Sequence, residues 1–114
     1  MYNLKDLVRM NQEIGESGQL RDSSSITFAL SLTKQKKSWL YELSYLIRSM
    51  LIDHPFVDGN KRTAYILCCL YFEDHQFSFQ DELLVKTVHV IAKKNIQDIN
   101  KIGRMILKCL MNND

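Results

Sequence analysis

The sequence contains few residues that interrupt a helix, since its 114 residues include one proline and four glycines. Long apolar runs are also missing. The longest, Ala64 to Phe72, is far shorter than the ~20 residues that a bilayer span needs. The N-terminal segment carries charges where a signal peptide requires an apolar stretch. The sequence therefore predicts neither export nor insertion into a membrane.

The chain has few cysteines and a small net charge. The three cysteines, Cys68, Cys69 and Cys109, are odd in number and lack CxxC spacing, which argues against a disulfide framework or a zinc site and fits a cytoplasmic location. The formal charge is only +2 and most lysines are dispersed, so direct binding to nucleic acid is not expected. A chain of this length is expected to form a single domain over residues 1–114.

Hydrophobic periodicity is helical along nearly the whole chain and predicts an all-α fold. Spacings of three and four between apolar residues mark one buried face on most of the predicted helices. In chain order the helices run from Asn3 to Gly15, from Ser25 to Leu32, from Trp39 to Leu51, from about Asn60 to Gln76, from about Asp81 to Lys94 and from about Asp98 to Met111. The fourth is apolar almost all round between Tyr65 and Phe72, which predicts that it is the buried centre of the domain.

The single proline lies in the segment HPFVDGNKRTA, which runs from His54 to Ala64. Because the residue before a proline avoids the right-handed α region, we expect the third helix to end near His54 and a loop to begin there. A buried helix that starts near Asn60 presents unpaired backbone N–H groups and a partial positive charge at its first turn. These features predict a phosphate-binding site at the start of this helix.

Four residues around the helix start have side chains or backbone properties suited to phosphate. Gly59 allows a tight turn and a close approach to an anion, and Asn60 can cap the helix or donate its amide to an oxygen. Lys61 contributes a mobile point charge, whereas the planar guanidinium of Arg62 can bind two phosphate oxygens. These four residues are the predicted phosphate site.

Asp58 and His54 indicate that the phosphate site is a catalytic one. A carboxylate beside a phosphate is repelled unless a cation lies between them, so Asp58 is the predicted Mg²⁺ ligand. His54 has a side chain suited to accepting a proton near neutral pH and is the candidate general base. Each residue taken singly also has an ordinary structural explanation, because a histidine can end a helix and DGN can form a turn. Only the combination favours catalysis.

Four other residues are predicted to have structural positions only. Phe56 and Val57 are expected to anchor the loop in the core. His75 and His89 lack partners at metal-ligand spacing, so we expect them on helix surfaces.

The segment HPFVDGNKRTA resembles the active-site signature of the Fic/Doc family, HxFx[D/E][G/A]N[G/K]R, which joins two central helices of an all-α core. The resemblance implies that His54 is the general base for a hydroxyl of a target protein, that Asp58 is the Mg²⁺ ligand and that ATP is the donor. It also implies that Phe56 anchors the loop. The residues that cradle the phosphates would be Gly59, Asn60, Lys61 and Arg62.

Two positions bear on the branch of the family. Members that transfer AMP usually have glycine where this chain has Lys61, and a second arginine where it has Tyr65. The sequence NKRTA instead resembles the Doc branch, the "death on curing" toxins, which act like kinases and have elongation factor Tu as the known kind of target. Gly59 is alanine in the Doc toxin, and the HPF and DGN portions also fit the AMP-transferring branch. Phosphoryl transfer and AMP transfer both remain open.

The polar segment from Gly15 to Ser25 resembles the flap that family members place beside the active site. The resemblance implies that Leu20 and Arg21 hold an extended segment of the target protein by strand addition, whereas a flexible interhelical connection is the alternative. The inhibitory pattern [S/T]xxxE[G/N] of many relatives is missing, because Leu43 follows the SxxxE spacing of Ser38 to Glu42. If the protein is toxic, a separate antitoxin is therefore expected, and the resemblance to Doc implies that this antitoxin is Phd-like.

Two further hypotheses belong to other functional classes. One is a non-catalytic module that binds nucleotide or contacts a partner. The other is a metal-dependent hydrolase that uses Asp53, His54, Asp58, Asp74 and His75. The last two residues lie about four helical turns beyond the first three, roughly 20 Å by helix rise, which argues against a shared metal.

Overall fold

The computed structural model describes residues 2–35 and 37–111, which form six helices. These helices are α1 Leu4–Glu13, α2 Ser24–Ser31, α3 Trp39–Arg48, α4 Asn60–Asp74, α5 Asp81–Lys93 and α6 Ile99–Leu107. A 3₁₀ turn, Leu32–Gln35, follows α2, and a π-helical segment, Ser49–Asp53, follows α3. In the described residues the β structure is limited to two isolated antiparallel bridges. The predicted all-α fold is confirmed.

Three helices, α1, α3 and α6, begin where a side chain accepts backbone N–H groups of the first turn. At the start of α1, Asn3 and Asp6 form a capping box in which each side chain accepts the backbone N–H of the other at 2.9 Å. At the start of α6, the Asp98 carboxylate accepts the N–H groups of Asn100 and Lys101. The predicted starts of α1 and α6 are confirmed to within one residue.

Helix α4 lies at the centre of the fold and packs against α1, α3 and α5. Its Leu67, Cys68 and Phe72 are buried, as the uninterrupted apolar pattern predicts. Helices α3 and α6 pack together on another side of the core. The N-terminal end of α4 remains at the surface, beside the loop that connects it to the π-helical segment.

The three cysteines, Cys68, Cys69 and Cys109, are free thiols in the structure. Cys68 and Cys109 are buried, and burial raises the pKa of both thiols. None of the helices described here is both long enough and apolar enough to span a bilayer.

Candidate active site

One cavity of about 740 Å³ brings together the residues that the sequence predicts to act on phosphate. Its lining includes His54, Asp58, Gly59, Asn60, Lys61 and Arg62. The anchoring residue Phe56 lies outside the cavity lining and is almost fully buried, at 1% exposed. Phe56 therefore anchors the loop in the core, as predicted. The same prediction is wrong for Val57, which is 48% exposed and lines the cavity.

His54 occupies a special backbone position at the end of the π-helical segment. Its φ and ψ angles are 51° and 66°, in the left-handed region, and Pro55 follows directly. The prediction that the helix ends here is confirmed, and the residue leaves the right-handed region for the left-handed one. This conformation costs a residue with a β-carbon about 1–2 kcal/mol. Surrounding contacts must therefore hold it in place.

The side chain of Asn60 holds the loop in shape. Its Oδ1 accepts the backbone N–H of Phe56, and its Nδ2 donates to the backbone carbonyl of the same residue, both at 3.0 Å. The capping role considered for Asn60 is wrong, because Gly59 occupies the N-cap position of α4 and Asn60 is the first helical residue. The backbone N–H of Asn60 has no backbone acceptor among the described residues and is free to face an anion.

The first turn of α4 has the properties of an anion site. The N–H of Thr63 donates to the carbonyl of Gly59 at 2.9 Å, and within the described ranges no backbone acceptor is found for the N–H groups of residues 60–62. Gly59 turns into this helix with a φ of 80°. Lys61 and Arg62 are exposed beside it. One guanidinium nitrogen of Arg62 donates to the carbonyl of Ile14, at the end of α1, at 2.9 Å.

Asn11 of α1 connects the loop, the segment before α2 and helix α4. It is 1% exposed, and its Nδ2 donates to the carbonyl of Asp58 at 2.9 Å and to Thr63 Oγ1 at 3.2 Å. Its Oδ1 accepts the N–H of Gly18 at 2.9 Å. Sequence reasoning missed this residue. A signal was present, because Asn11 follows Leu7 by four residues and falls on the apolar stripe of α1.

The segment from Gly15 to Ser25 is docked against the loop and is not a free connection. Leu20 and Phe56 form an antiparallel bridge. It is flanked by hydrogen bonds from Arg21 N to Pro55 O at 2.7 Å and from Val57 N to Gln19 O at 3.0 Å. We call residues 15–25 the flap, as their placement beside the cavity corresponds to the expected one.

The residues present fit a Mg²⁺ ion that arrives with a nucleotide. Asp58 is exposed and lines the cavity, while its backbone carbonyl is fixed by Asn11. Among the described residues, no group of three or more acidic, histidine or cysteine side chains could enclose a metal. A single carboxylate that shares the ion with phosphate oxygens and water is the usual arrangement for Mg²⁺. Asp58 suits this arrangement. The described residues therefore give no support to the metal cluster that the hydrolase hypothesis requires.

The Fic/DOC family model matches residues 2–72, more than half of the chain. The chain belongs to the Fic/DOC family. Domains of this family are typically transferases that modify proteins in a nucleotide-dependent way. Searches of curated proteins and of solved structures gave no match.

One wall of the cavity comes from α5, beyond the region that matches the Fic/DOC family model. Val85, Val88 and His89 line the cavity from this helix, and Ile66 of α4 adds a further apolar side chain. His89 is exposed on a helix surface, as predicted, but it faces the same space as His54, which sequence reasoning missed. The spacing of three and four between these α5 residues is the available signal.

Tyr65 also lines the cavity, at the position where AMP-transferring members of the family usually have an arginine. Its hydroxyl donates to the Asp81 carboxylate at the start of α5. This hydrogen bond, together with burial, raises the pKa of Tyr65. This hydrogen bond links α4 with α5. Tyr65 therefore supplies no positive charge to the cavity, unlike an arginine at this position.

Proposed function

We propose that this protein transfers the γ-phosphoryl group of ATP to a hydroxyl of a target protein, as a Doc-like toxin of a toxin–antitoxin pair. The observation that carries the proposal is the cavity itself. It combines a histidine, a carboxylate, an uncapped helix N-terminus and two cationic side chains around a space of about 740 Å³. A volume of this size lies within the range that accommodates small-molecule ligands and cofactors.

His54 acts as the general base in this proposal. As the target hydroxyl oxygen forms its bond to the γ-phosphorus, the bond from that phosphorus to the bridging oxygen of ADP breaks, and the hydroxyl proton passes to the imidazole. The products are ADP and a phosphorylated target. General-base catalysis of this kind typically contributes about 10²–10⁴ in rate.

The phosphates bind at the start of α4. The free backbone N–H groups of residues 60–62 and the partial charge of the helix favour an anion there. Gly59 lets the backbone turn into this helix, and Lys61 and Arg62 add positive charge. Asp58 would hold Mg²⁺ together with phosphate oxygens, and the ion would neutralise charge on the transferring group.

Tyr65 and Lys61 favour the phosphoryl-transfer branch. The cavity holds a lysine where AMP-transferring relatives usually have glycine, and its Tyr65 is bonded to a carboxylate where they have a cation. Positive charge is therefore concentrated at the start of α4. Transfer of AMP, with release of pyrophosphate, is the second candidate. Gly59 supports it, because a β-carbon here would lie 2.7 Å from Glu16 Cγ, whereas the Doc toxin has alanine at this position.

The flap offers a binding edge for the target protein. In its pairing with the loop, Gln19 O and Arg21 N point towards the loop, so the N–H and C=O of Leu20 point away from it. An extended segment of the target can pair with this edge and present its Ser, Thr or Tyr hydroxyl to His54. A protein like elongation factor Tu is a proposed target, a Phd-like antitoxin is the proposed regulator, and the proposed location is the cytoplasm.

The test uses ATP labelled separately at the α and γ phosphates, incubated with Mg²⁺, the protein and a cell extract. We expect γ label on a protein band, loss of this label with His54→Ala, and its retention with His75→Ala. His75 is a suitable control because it is an exposed histidine at the other end of α4. Label from the α phosphate would instead identify AMP transfer.

Binding of ATP with and without Mg²⁺ tests the metal ligand, and the label-transfer assay together with ATP binding tests the non-catalytic alternative. Asp58→Ala is expected to abolish the Mg²⁺ dependence of ATP binding, and unchanged dependence would remove Asp58 from this role. If neither label is transferred although ATP binds and a competent target is present, the enzyme proposal is wrong. The protein would then be a nucleotide-binding module.

A further inference from the structure

The side chain of Arg21 donates to the two backbone carbonyls on either side of the His54 Cα atom. One guanidinium nitrogen, Nη2, donates to the carbonyl of Asp53 at 3.1 Å and to the carbonyl of His54 at 3.0 Å. Asp53 ends the π-helical segment, where carbonyl groups lack partners within the helix. A cationic donor at a helix C-terminus is favourable for the same reason.

His54 depends on such external contacts for its orientation. Its backbone has the left-handed conformation, and within residues 2–35 and 37–111 no hydrogen-bond partner of its imidazole is found. The direction of the ring is therefore set mainly by the backbone that carries it. Arg21 is the side chain that binds the carbonyl of His54 itself.

The backbone and the side chain of Arg21 have separable tasks. The backbone N–H groups of Arg21 and Asp22 both donate to the carbonyl of Pro55, at 2.7 and 3.3 Å, and these bonds dock the flap. Replacing the side chain leaves them in place. The guanidinium is exposed, so its removal is expected to have little effect on folding.

We propose that Arg21 is a positioning residue that holds His54 in its catalytic orientation. This inference rests on the proposed function, since it assigns a role in the reaction at that site. Arg21 follows Leu20, whose backbone N–H and C=O are the proposed binding edge for the target. Arg21 therefore also connects a flap that has bound the target with the general base. A bound target segment would then restrain the flap and, through Arg21, the histidine.

The experiment compares Arg21→Ala and Arg21→Lys with Arg9→Ala, which removes the same charge from an exposed site on α1. For Arg21→Ala we expect kcat for protein modification to fall about tenfold or more, because small misplacements of catalytic groups have effects of this size or larger. KM for the target and the affinity for ATP should stay within about twofold of the wild type. Lysine keeps the charge and a hydrogen-bond donor on the side chain, so it should restore part of kcat.

A spectroscopic measurement tests the position of His54 without any need for turnover. The chain has three histidines, so their ¹H–¹³C ring signals can be assigned with His54→Gln. In Arg21→Ala we expect the His54 signals to shift and broaden while those of His75 and His89 stay in place. Arg9→Ala should alter none of them.

Unchanged His54 signals in Arg21→Ala would overturn the proposal, whatever happens to the rate. A loss confined to KM would also overturn it, since Arg21 would then serve only the docking of the target. If the wild-type protein transfers nothing, the proposed function fails. The ring signals then decide separately whether Arg21 orients His54.

Discussion

At the scale of single residues, the loop separates side chains that face a ligand from side chains that hold the loop. His54, Asp58 and Lys61 line the cavity, and the imidazole and carboxylate are exposed. Asn60 belongs to the same motif, but its side-chain amide is used on both polar groups of the Phe56 backbone. A sequence motif lists residue types, and this division of tasks follows only from where each side chain points.

Gly59 illustrates a backbone requirement that can be measured. Gly59→Ala places a β-carbon in a left-handed conformation, 2.7 Å from Glu16 Cγ and 3.0 Å from Asn11 Nδ2. We expect a loss of about 1–2 kcal/mol in the free energy of unfolding from the conformation, and at least about 1 kcal/mol more from the overlap. Urea denaturation measures both.

Gly15→Ala is the matched control for this prediction. Gly15 also has a positive φ, 95°, but a β-carbon there meets no heavy atom within 4 Å. Its loss should therefore contain the conformational part alone. Equal losses for the two variants would show that Glu16 and Asn11 move aside, and that the glycine is required only for its turn.

At the scale of elements, the order of the helices follows from the sequence, and their ends follow from local chemistry. The capping box of Asn3 and the cap of Asp98 are visible in the sequence because they join residues only two or three positions apart. The π-helical segment Ser49–Asp53 was not predicted, since its apolar pattern continues that of α3. The segment packs against α2, α3, α4 and α5, and a local sequence pattern does not record such contacts.

The docking of the flap depends on Asn11, which joins elements far apart in the sequence. Asn11→Ala removes hydrogen bonds to Asp58, Thr63 and Gly18 and leaves buried polar groups without a partner. We expect a loss of about 2–3 kcal/mol in the free energy of unfolding, measured by urea denaturation, and faster amide exchange of the flap.

Gln12→Ala is the control for Asn11, because Gln12 is adjacent and its amide also donates to the flap, at Ser17 O. This bond is 3.5 Å long and exposed, so the expected loss is within about 0.5 kcal/mol. If both variants lose the same stability, the flap is held by its backbone pairing with the loop and not by the buried amide.

At the scale of the whole molecule, the cavity is completed by a helix outside the matched family region. Val85 of α5 is 41% exposed and lines the cavity. Val85→Ser is expected to weaken ATP binding about fivefold, which corresponds to about 1 kcal/mol of apolar contact, without lowering the melting temperature. Isothermal titration and thermal denaturation measure the two quantities.

Leu107→Ser provides the matched control, since Leu107 is 44% exposed but lies on α6, outside this cavity. It should leave the affinity for ATP unchanged. An affinity that is equally unchanged in Val85→Ser would place the bound nucleotide away from α5 and confine the site to the loop and α4.

The sequence by itself determined the all-α class, the central position of α4 and the set of polar residues around its start. These properties depend on local periodicity and on residues that are close together in the chain. Only the tertiary structure decided that Asn11 and Arg21 hold the loop and that Val85 and His89 face it. Such contacts join residues separated by about thirty positions or more, and no local pattern records which elements meet.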